Sequence, residues 1–420
     1  MASASMPQPT VVSEAPRANT PQLVSTTAVP RPHVDAVGEL NGTIYAGGRF
    51  DRVAPAGASQ PSLSRMNIFA FDAATGLISE SFAPDLNGNV WAVEAVPGAV
   101  YVGGEFTTVD GVTKAGIAKL DPLTGKLDTM FRAPFKGRVN EIRMLDSAPT
   151  PRLLVGGSGY KKLAALDPAK GTDTGFIDLL IADAIPGAWG GVSVYNFAVS
   201  PDASQLVATG NFQTVNGQRR TRLFVVDLAG TEATLDPWYY PGFDKPCSST
   251  SSRRIAYLSG VDYSPNGAFF TVAATGQVPL YKADIWPAGS AKYHTVCDAA
   301  GRFSLADDQR PVWINYTGGD SVWAVADTGA AVYVQGHFQW LDNPNGLASQ
   351  CPAGETCASR KGIGAISPGT GKALAWNPGK PASQGGKDLF VTADGLWVGS
   401  DSVNFNGQPH RGIAFAPLAP

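Results

Sequence analysis

The sequence predicts an all-β fold, a seven-bladed β-propeller with four-stranded blades, and a repeated motif is the main reason. Residues 45–50 read Tyr-Ala-Gly-Gly-Arg-Phe, residues 101–106 read Tyr-Val-Gly-Gly-Glu-Phe and residues 333–338 read Tyr-Val-Gln-Gly-His-Phe. Weaker copies begin at Leu154, Val207 and Trp397. The spacing of the first two copies suits a four-stranded propeller blade with long loops, whereas most solenoid units are shorter.

Each repeat contains an inner strand, the motif strand, a third strand and an outer strand. In the second repeat we expect them at 90–96, 100–104, 117–121 and 129–133, because residues typical of tight turns separate these apolar runs. Glycine allows close approach between strands, so we interpret the motif as packing between blades. The predicted third strands, which give the count of seven, are 68–72, 117–121, 163–167, 223–227, 280–284, 363–367 and 413–417.

The two ends of the chain are expected to meet. The last repeat stops at Pro420 without residues for an outer strand, and an open sheet edge invites foreign pairing. The segment 22–29 has strand composition, so we expect it to supply the missing strand and close the ring. Residues 1–20, rich in Pro, Ala, Ser and Thr, are expected to form a disordered leader before a single domain over 21–420.

The composition argues against nucleic-acid partners and membrane spans. The 420 residues include 32 Lys and Arg against 35 Asp and Glu, a net charge of −3. This balance leaves no basic excess to neutralise phosphates. No apolar run reaches the length that crosses a bilayer.

The four cysteines indicate an oxidising compartment. No CxxC or Cys/His zinc spacing occurs, which favours disulfides over a metal site. Three pairings exist, and we expect Cys247–Cys297 and Cys351–Cys357, hence a secreted protein. The alternative is four free thiols in a cytosolic protein.

Aromatic residues in long loops indicate a ligand-binding surface, because aromatic rings suit sugar rings and protein anchors. The tryptophans would alternatively cover blade edges, and His337 would alternatively be a surface or structural histidine. The candidate ligand-binding residues are Trp238, Tyr239, Tyr240, Trp286, Arg302, His337, Trp340 and Asp342.

A basic residue also opens the third strand in four repeats. A circle of such cations would suit carboxylated or sulfated sugars, since Arg binds oxyanions through two parallel hydrogen bonds. The simpler interpretation is that each cation pairs with a nearby acidic residue. These residues are Arg65, Lys114, Arg220 and Arg360.

Signatures of catalysis are missing from the sequence. It contains no GxSxG elbow, P-loop or HExxH motif, and only four histidines. We therefore predict no catalytic residue, no metal ligand and no required cofactor. Calcium in the central channel stays open as an alternative.

Three segments resemble a group of secreted bacterial β-propeller proteins: 333–343, 375–379 and 395–401. That group is similar to the delta-60 repeat propellers, whose Gly-Gly-x-Phe and Leu-Asp-Pro-x-Thr-Gly signatures match 103–106 and 120–125. The resemblance extends over roughly 34–420 and implies a propeller fold and export. The activity of that group is largely unassigned, so no catalytic residue carries over.

Two classes of function follow from these observations. The first is a secreted, non-catalytic recognition or scaffold module that binds a cell-surface glycan or a partner protein in an exported assembly. The alternative is an extracellular lyase or hydrolase acting on polysaccharide, with His337, His410 and channel-facing carboxylates at the propeller funnel. Fold alone does not decide between them.

Overall fold

The chain forms antiparallel sheets that follow one another along the sequence. The computed structural model describes residues 6–57, 61–146, 150–248, 254–276, 295–306, 310–346, 349–381, 385–386 and 388–419. Within these ranges the fold is all-β, apart from a 3-10 turn at Pro241–Asp244. Seven sheets share one plan in which consecutive strands pair antiparallel, and we number them in chain order.

The strands of these sheets have the following bounds. They are His33–Leu40, Thr43–Arg49 and Ile68–Asp72 in sheet 1; Val90–Val96, Ala99–Gly104 and Ile117–Leu120 in sheet 2; Val139–Leu145, Arg152–Gly157 and Leu163–Leu166 in sheet 3; Ser193–Val199, Gln205–Asn211, Leu223–Asp227 and Thr234–Leu235 in sheet 4; Ala256–Tyr263, Phe269–Gly276, Ala299–Ser304 and Trp313–Tyr316 in sheet 5; Val322–Asp327, Val332–Gly336 and Ile363–Ile366 in sheet 6; and Asp388–Thr392, Gly395–Gly399 and Ile413–Pro417 in sheet 7.

Additional short strands lie before sheet 1 and in the loops that connect the strands of the seven sheets. They pair as Gln22–Leu23 with Arg52–Ala54 and Leu63–Ser64, Thr108–Val109 with Val112–Thr113, Ile181–Ala182 with Thr214–Val215 and Gln218–Arg219, Trp340–Leu341 with Ala358–Ser359, and Asn404–Phe405 with Gln408–Pro409.

The expected outer strands are mostly reduced to single bridges. In the described residues only sheets 4 and 5 have a full fourth strand. In sheets 1, 2, 3 and 6 the third strand makes one antiparallel bridge to the segment after its turn: Phe71 to Ile78, Leu120 to Leu127, Leu166 to Asp173 and Ile366 to Ala373.

One predicted third strand was wrong. The segment 280–284 lies outside the described residues, and Ala299–Ser304 takes the third place in sheet 5. The motif strand of this sheet is followed by a long connection before the chain returns to pair with it. The number of residues between the motif strand and the third strand is therefore larger in sheet 5 than in sheets 1 to 4.

Residues 6–20 do not match the expectation of a disordered leader. Val12 is 2% exposed and forms an antiparallel bridge with Leu418 of the last strand region. Ser13 N donates to Pro417 O at 2.7 Å, and Arg17 N donates to Phe415 O at 2.8 Å. The composition was misleading because Val12 is buried in the core between sheets 6 and 7.

The outer edge of sheet 7 is consequently paired with a different segment from the one predicted. The pairing involves residues 12–17 rather than 22–29. Within the predicted segment, Gln22–Leu23 instead pairs with Arg52–Ala54. The general expectation that N-terminal residues pair with the last sheet is met, but the assigned strand was wrong.

The repeated motif packs one sheet against the next. A Cβ atom placed on Gly47 would lie 2.5 Å from Val90 Cγ1, and one on Gly103 would lie 2.5 Å from Val139 Cγ1. Val90 and Val139 belong to the first strands of the following sheets. The motif tyrosine reaches the same neighbour, since the Tyr101 hydroxyl donates to Pro168 O at 2.6 Å. These contacts agree with a packing role for the motif.

Two further features bear on compartment. The expected disulfides, Cys247–Cys297 and Cys351–Cys357, are both present. In the described part of the chain, no helix has the length and apolar character needed to cross a membrane.

Candidate functional site

The first strands of sheets 1 to 6 each contain a β-bulge at the equivalent position. At this point the pairing with the second strand shifts, so one residue has no partner opposite it. A bulge re-aims a side chain and often lies beside a functional site. The bulged residues are Asp35, Trp91, Asn140, Tyr195, Ser259 and Trp323.

All six bulged residues line one cavity of about 830 Å³, which we call the funnel. Residues 388–391 from the first strand of sheet 7 line it as well. One residue from each of six successive repeats therefore faces a common space. A cavity of this volume is large enough for a small ligand or a short run of sugar units.

Aromatic and cationic side chains form one wall of the funnel, which we call the aromatic wall: Trp91, Arg138, Trp189, Tyr195 and Tyr257. The guanidinium carbon of Arg138 lies 5.4 Å from the centre of the Trp91 ring. Trp189 is 87% exposed, and its backbone N–H donates to the Tyr257 hydroxyl at 3.1 Å. Burial and the nearby Tyr257 raise the pKa of Tyr195 to about 12, so its hydroxyl stays protonated.

A second group of funnel-lining residues is more polar. It contains Trp323, Ser321, Asp320, Thr275 and the exposed His337. The Ser321 and Thr275 hydroxyls are hydrogen-bonded to each other, and Ser349 Oγ donates to Asp320 Oδ1 at 2.5 Å. Hydroxyl and carboxylate groups beside aromatic rings are the usual means of orienting a polar ligand in a pocket.

Deeper in the structure, carboxylates join neighbouring sheets. Met144 N donates to Glu94 at 2.8 Å, and Asp327 N donates to Asp262 at 2.8 Å. In each pair the carboxylate lies on the first strand of one sheet and the N–H on the first strand of the next. Backbone N–H groups of the first strand that do not pair within their own sheet need such acceptors, because an unpaired buried donor is unfavourable. These carboxylates therefore contribute to the fold.

Arg143 is at the centre of this acidic group. Its Nη1 lies 2.5 Å from Glu141 Oε1. Burial opposes the guanidinium charge, yet Glu141, Glu94, Asp388 and Asp262 together raise the pKa of Arg143. Four carboxyl groups thus act on one cation.

The same burial changes the carboxyl groups. It raises the pKa of Asp262 to about 8 and the pKa values of Glu141 and Asp388 to about 7. All three carboxyls consequently exchange protons near neutral pH. In the described residues no group of three or more His, Cys, Asp or Glu side chains is placed to hold a metal ion.

Most of the aromatic candidates from the sequence lie elsewhere. Trp238 and Tyr240 are 5% and 0% exposed, and both rings pack against Phe303 in the core of sheets 4 and 5. The Tyr239 hydroxyl is hydrogen-bonded to the Asp244 carboxylate. The expectation of an exposed aromatic surface at Trp238 and Tyr240 is therefore corrected, because apolar partners in sheet 5 bury both rings.

The remaining polar candidates are held by structural contacts. Buried Arg302 forms an ion pair of 2.5 Å with buried Asp327. Asp342 accepts hydrogen bonds from Asn315 Nδ2 at 2.7 Å and from Ala373 N at 3.1 Å. Half-buried Trp340 lies in a short strand pair outside the funnel lining.

Of the eight candidates, His337 lines the funnel, whereas Trp286 lies outside the described residues. His410, the second histidine of the enzyme alternative, is 3% exposed and shares a 2.7 Å hydrogen bond with Thr20 Oγ1. It is not among the funnel residues.

Within the described part of the chain, none of the four recurring basic residues forms an ion pair, although acidic residues lie near each of them. The basic side chains donate to backbone carbonyls in the segment after the third strand: Arg65 to Ser79 O, Lys114 to Phe131 O, Arg220 to Asp236 O and Arg360 to Leu374 O. The backbone carbonyls of these short outer segments are available as acceptors because the segments form few hydrogen bonds to a neighbouring strand. The cations therefore secure the outer edge of their own repeats.

The bulged residues were missed, although the sequence contains a signal for them. Segments 34–37, 90–93 and 322–325 read Val-x-Ala-Val at a constant distance before the motif tyrosine. The variable position x is occupied by Asp35, Trp91 and Trp323. A variable residue inside a constant strand pattern is the expected signature of a side chain that does not serve the core.

Comparison with known families supports the propeller class. Residues 98–131 match a family model described as a domain of unknown function, DUF5122 beta-propeller. The all-β fold and this match over a short stretch support a β-propeller fold. No curated protein matches the sequence. The likeness to the delta-60 repeat propellers stays a prediction.

Proposed function

We propose that this protein is a secreted, non-catalytic recognition module that binds a glycan in the funnel. The aromatic wall is the observation that carries the proposal. Sugar rings present C–H faces that stack on aromatic side chains, and their hydroxyls bond to polar groups at the ring edges. The funnel combines both, because aromatic Trp91, Trp189 and Tyr195 and polar Ser321 and Asp320 all line it.

We further infer that the seven sheets are the blades of one closed propeller. The first strand of each sheet contacts the first strand of the next, and the first strand of sheet 7 contacts that of sheet 1. The pairing of residues 12–17 with the last strand would complete the outer part of the final blade. A closed ring explains why six bulges converge on a single cavity.

Secretion is supported by the two disulfides. Such bonds persist in oxidising compartments and are rare in the cytosol. Both lie in loop regions of the second half of the chain, where the connections are longest.

An enzyme acting on polysaccharide is the second candidate. The carboxyl groups of Asp262, Glu141 and Asp388 have raised pKa values and line the funnel, which is a common property of catalytic acids. Against this, Asp262 and Asp388 already accept backbone N–H groups from the neighbouring sheet. A recognition role therefore fits their contacts better.

A glycan array with matched variants tests the proposal. Trp189→Ala removes the most exposed aromatic residue of the wall, so the variant should fold normally and bind at least about tenfold more weakly. Trp340→Ala, outside the funnel lining, is the control and should bind like the wild type. Absence of binding to any glycan would overturn the proposal. Shortening of a bound polysaccharide, abolished by Asp262→Asn, would favour the enzyme.

A further inference from the structure

Two arginine side chains in the funnel have incomplete hydrogen bonding. Arg138 and Arg254 both line the cavity. Among the described residues, the buried atoms Arg138 Nε and Arg254 Nη1 have no hydrogen-bond partner. Buried donors in native proteins are nearly always paired. The two guanidinium groups of the cavity lining therefore retain donor capacity that a ligand acceptor would fill.

Arg138 is already positioned for such an acceptor. Its Nη1 lies 3.3 Å from Glu105 Oε1, and its guanidinium stacks on Trp91. These contacts hold the side chain while engaging one of its five N–H donors. A prearranged guanidinium loses little conformational freedom on binding.

Three acidic residues of the funnel, Asp35, Glu141 and Asp388, do not supply the missing acceptors, because they are engaged elsewhere. Asp35 accepts from Asn89 Nδ2 at 2.9 Å and lies 3.1 Å from His33 Nε2. Glu141 pairs with Arg143, and Asp388 accepts from Val37 N at 2.6 Å. The unmet hydrogen-bonding capacity of Arg138 and Arg254 is therefore donor capacity.

We propose that the ligand is an acidic glycan whose uronate carboxylate binds Arg138 or Arg254 while a sugar ring stacks on the aromatic wall. The inference rests on the proposed function and adds the charge of the ligand. A planar carboxylate matches the guanidinium fork, which can donate two parallel hydrogen bonds to it. The neighbouring rings of Trp91 and Tyr195 would cover the apolar faces of the sugar.

Polygalacturonate and its carboxyl-reduced, neutral form make a matched pair of probes, with alginate and its reduced form as a second pair. The wild type should bind each acidic polymer at least about tenfold more tightly than the reduced one, because charge-assisted hydrogen bonds are lost on reduction. The affinity for the acidic polymers should fall as salt is added.

Substitutions assign the effect to the two side chains. Arg138→Gln and Arg254→Gln should each weaken binding of the acidic polymers by about tenfold and so lower the ratio of acidic to neutral affinity. Arg138→Lys keeps the charge and should retain part of the preference. Exposed Arg132, which does not line the funnel, gives the control Arg132→Gln.

The outcomes separate the two proposals. Equal affinity for acidic and reduced polymers, unaffected by both Gln variants, would overturn the inference and leave glycan recognition intact. A preference for acidic polymers that survives both Gln variants would equally overturn it. Binding to no polymer and no other glycan would overturn the proposed function itself.

Discussion

Asp388 and Val37 stand 351 positions apart in the chain, and Val37 N donates a 2.6 Å hydrogen bond to Asp388 Oδ2. The bond joins the first strand of the last sheet to the first strand of the first sheet. Glu94 and Asp262 make the same type of bond between other pairs of successive sheets. The hydrogen bond that joins the last sheet to the first is thus of the same type as the bonds between successive sheets within the chain.

Replacing this carboxylate should weaken the fold. Asp388→Ala leaves Val37 N without its acceptor, so we expect a loss of about 1–3 kcal/mol in the free energy of unfolding. Asp388→Asn keeps a carbonyl acceptor and should lose less. Denaturant unfolding of the three proteins measures the difference, and equal midpoints for wild type and Asp388→Ala would show that the bond contributes nothing.

Adding one methyl group to the motif should also be costly. In Gly103→Ala the new Cβ would meet Val139 Cγ1 at 2.5 Å, so the sheets must separate or Val139 must move. We expect a destabilisation of about 1–3 kcal/mol. Gly191→Ala is the matched control, since nothing lies within 4 Å of the added atom. Thermal unfolding of both variants compares them directly, and similar values would contradict the close packing.

Deleting residues 1–20 should destabilise the protein. The deletion exposes the edge of sheet 7 and removes Val12 from the core, and burial of such a side chain alone contributes about 1.5–3 kcal/mol. It also frees the Tyr333 hydroxyl, which accepts a 2.8 Å hydrogen bond from Val12 N. A shorter deletion of residues 1–5 is the control. Unchanged stability and solubility after the longer deletion would refute this role.

Stability should fall as the pH rises from about 5 to 9. The pKa values of Asp262, Glu141 and Asp388 are raised to about 8, 7 and 7, whereas carboxyls in the unfolded chain titrate near 4. Between these values the folded protein binds more protons than the unfolded one, so the contribution is complete below pH 4 and is lost above pH 8.

Asp262→Asn should flatten this pH profile, because an amide does not titrate and still offers an acceptor to Asp327 N. Exposed Asp85 provides the control Asp85→Asn, which should leave the profile unchanged. Unfolding midpoints measured across the pH range decide the matter. A profile that rises with pH, or one that Asp262→Asn leaves as steep, contradicts the assignment.

Loss of the two disulfides should have unequal effects. The Cys247–Cys297 bond closes a separation of 50 residues, and the Cys351–Cys357 bond closes 6. Chain entropy then gives losses of about 4 and about 2 kcal/mol. Cys→Ala double variants, compared by denaturant unfolding, measure both. Detection of free thiols in the unreduced, denatured wild type would contradict the bonds themselves.

The repeat could be predicted from the sequence because its residues have the same structural role in each sheet that contains it. Gly103 must be small, and Tyr101 must reach Pro168, so the same residue types recur wherever that geometry recurs. The pairing of cysteines was equally accessible, since Cys351 and Cys357 lie in one short loop, and Cys247 and Cys297 lie in the connections before and after the first two strands of sheet 5.

The site was less accessible for a physical reason. Trp238 and Trp91 are both aromatic residues, but only the surrounding tertiary contacts decide that Trp238 enters the core and Trp91 lines the funnel. Similarly, Val12 is surrounded by residues typical of disorder, and its partner Leu418 lies at the other end of the chain. Long-range pairing of this kind leaves no local pattern.

The bulges have a consequence for how binding preference can change. A bulged residue has no partner opposite it in the strand pairing, although the Asn140 and Ser259 side chains donate hydrogen bonds to Val194 O and Val322 O of the next sheet. The six positions already hold acidic, amide, hydroxyl and aromatic groups on the same backbone geometry. Under the proposed binding role, a library randomised at these six codons should change ligand preference, and Asn140 and Ser259 should tolerate substitution least because their hydrogen bonds join neighbouring sheets.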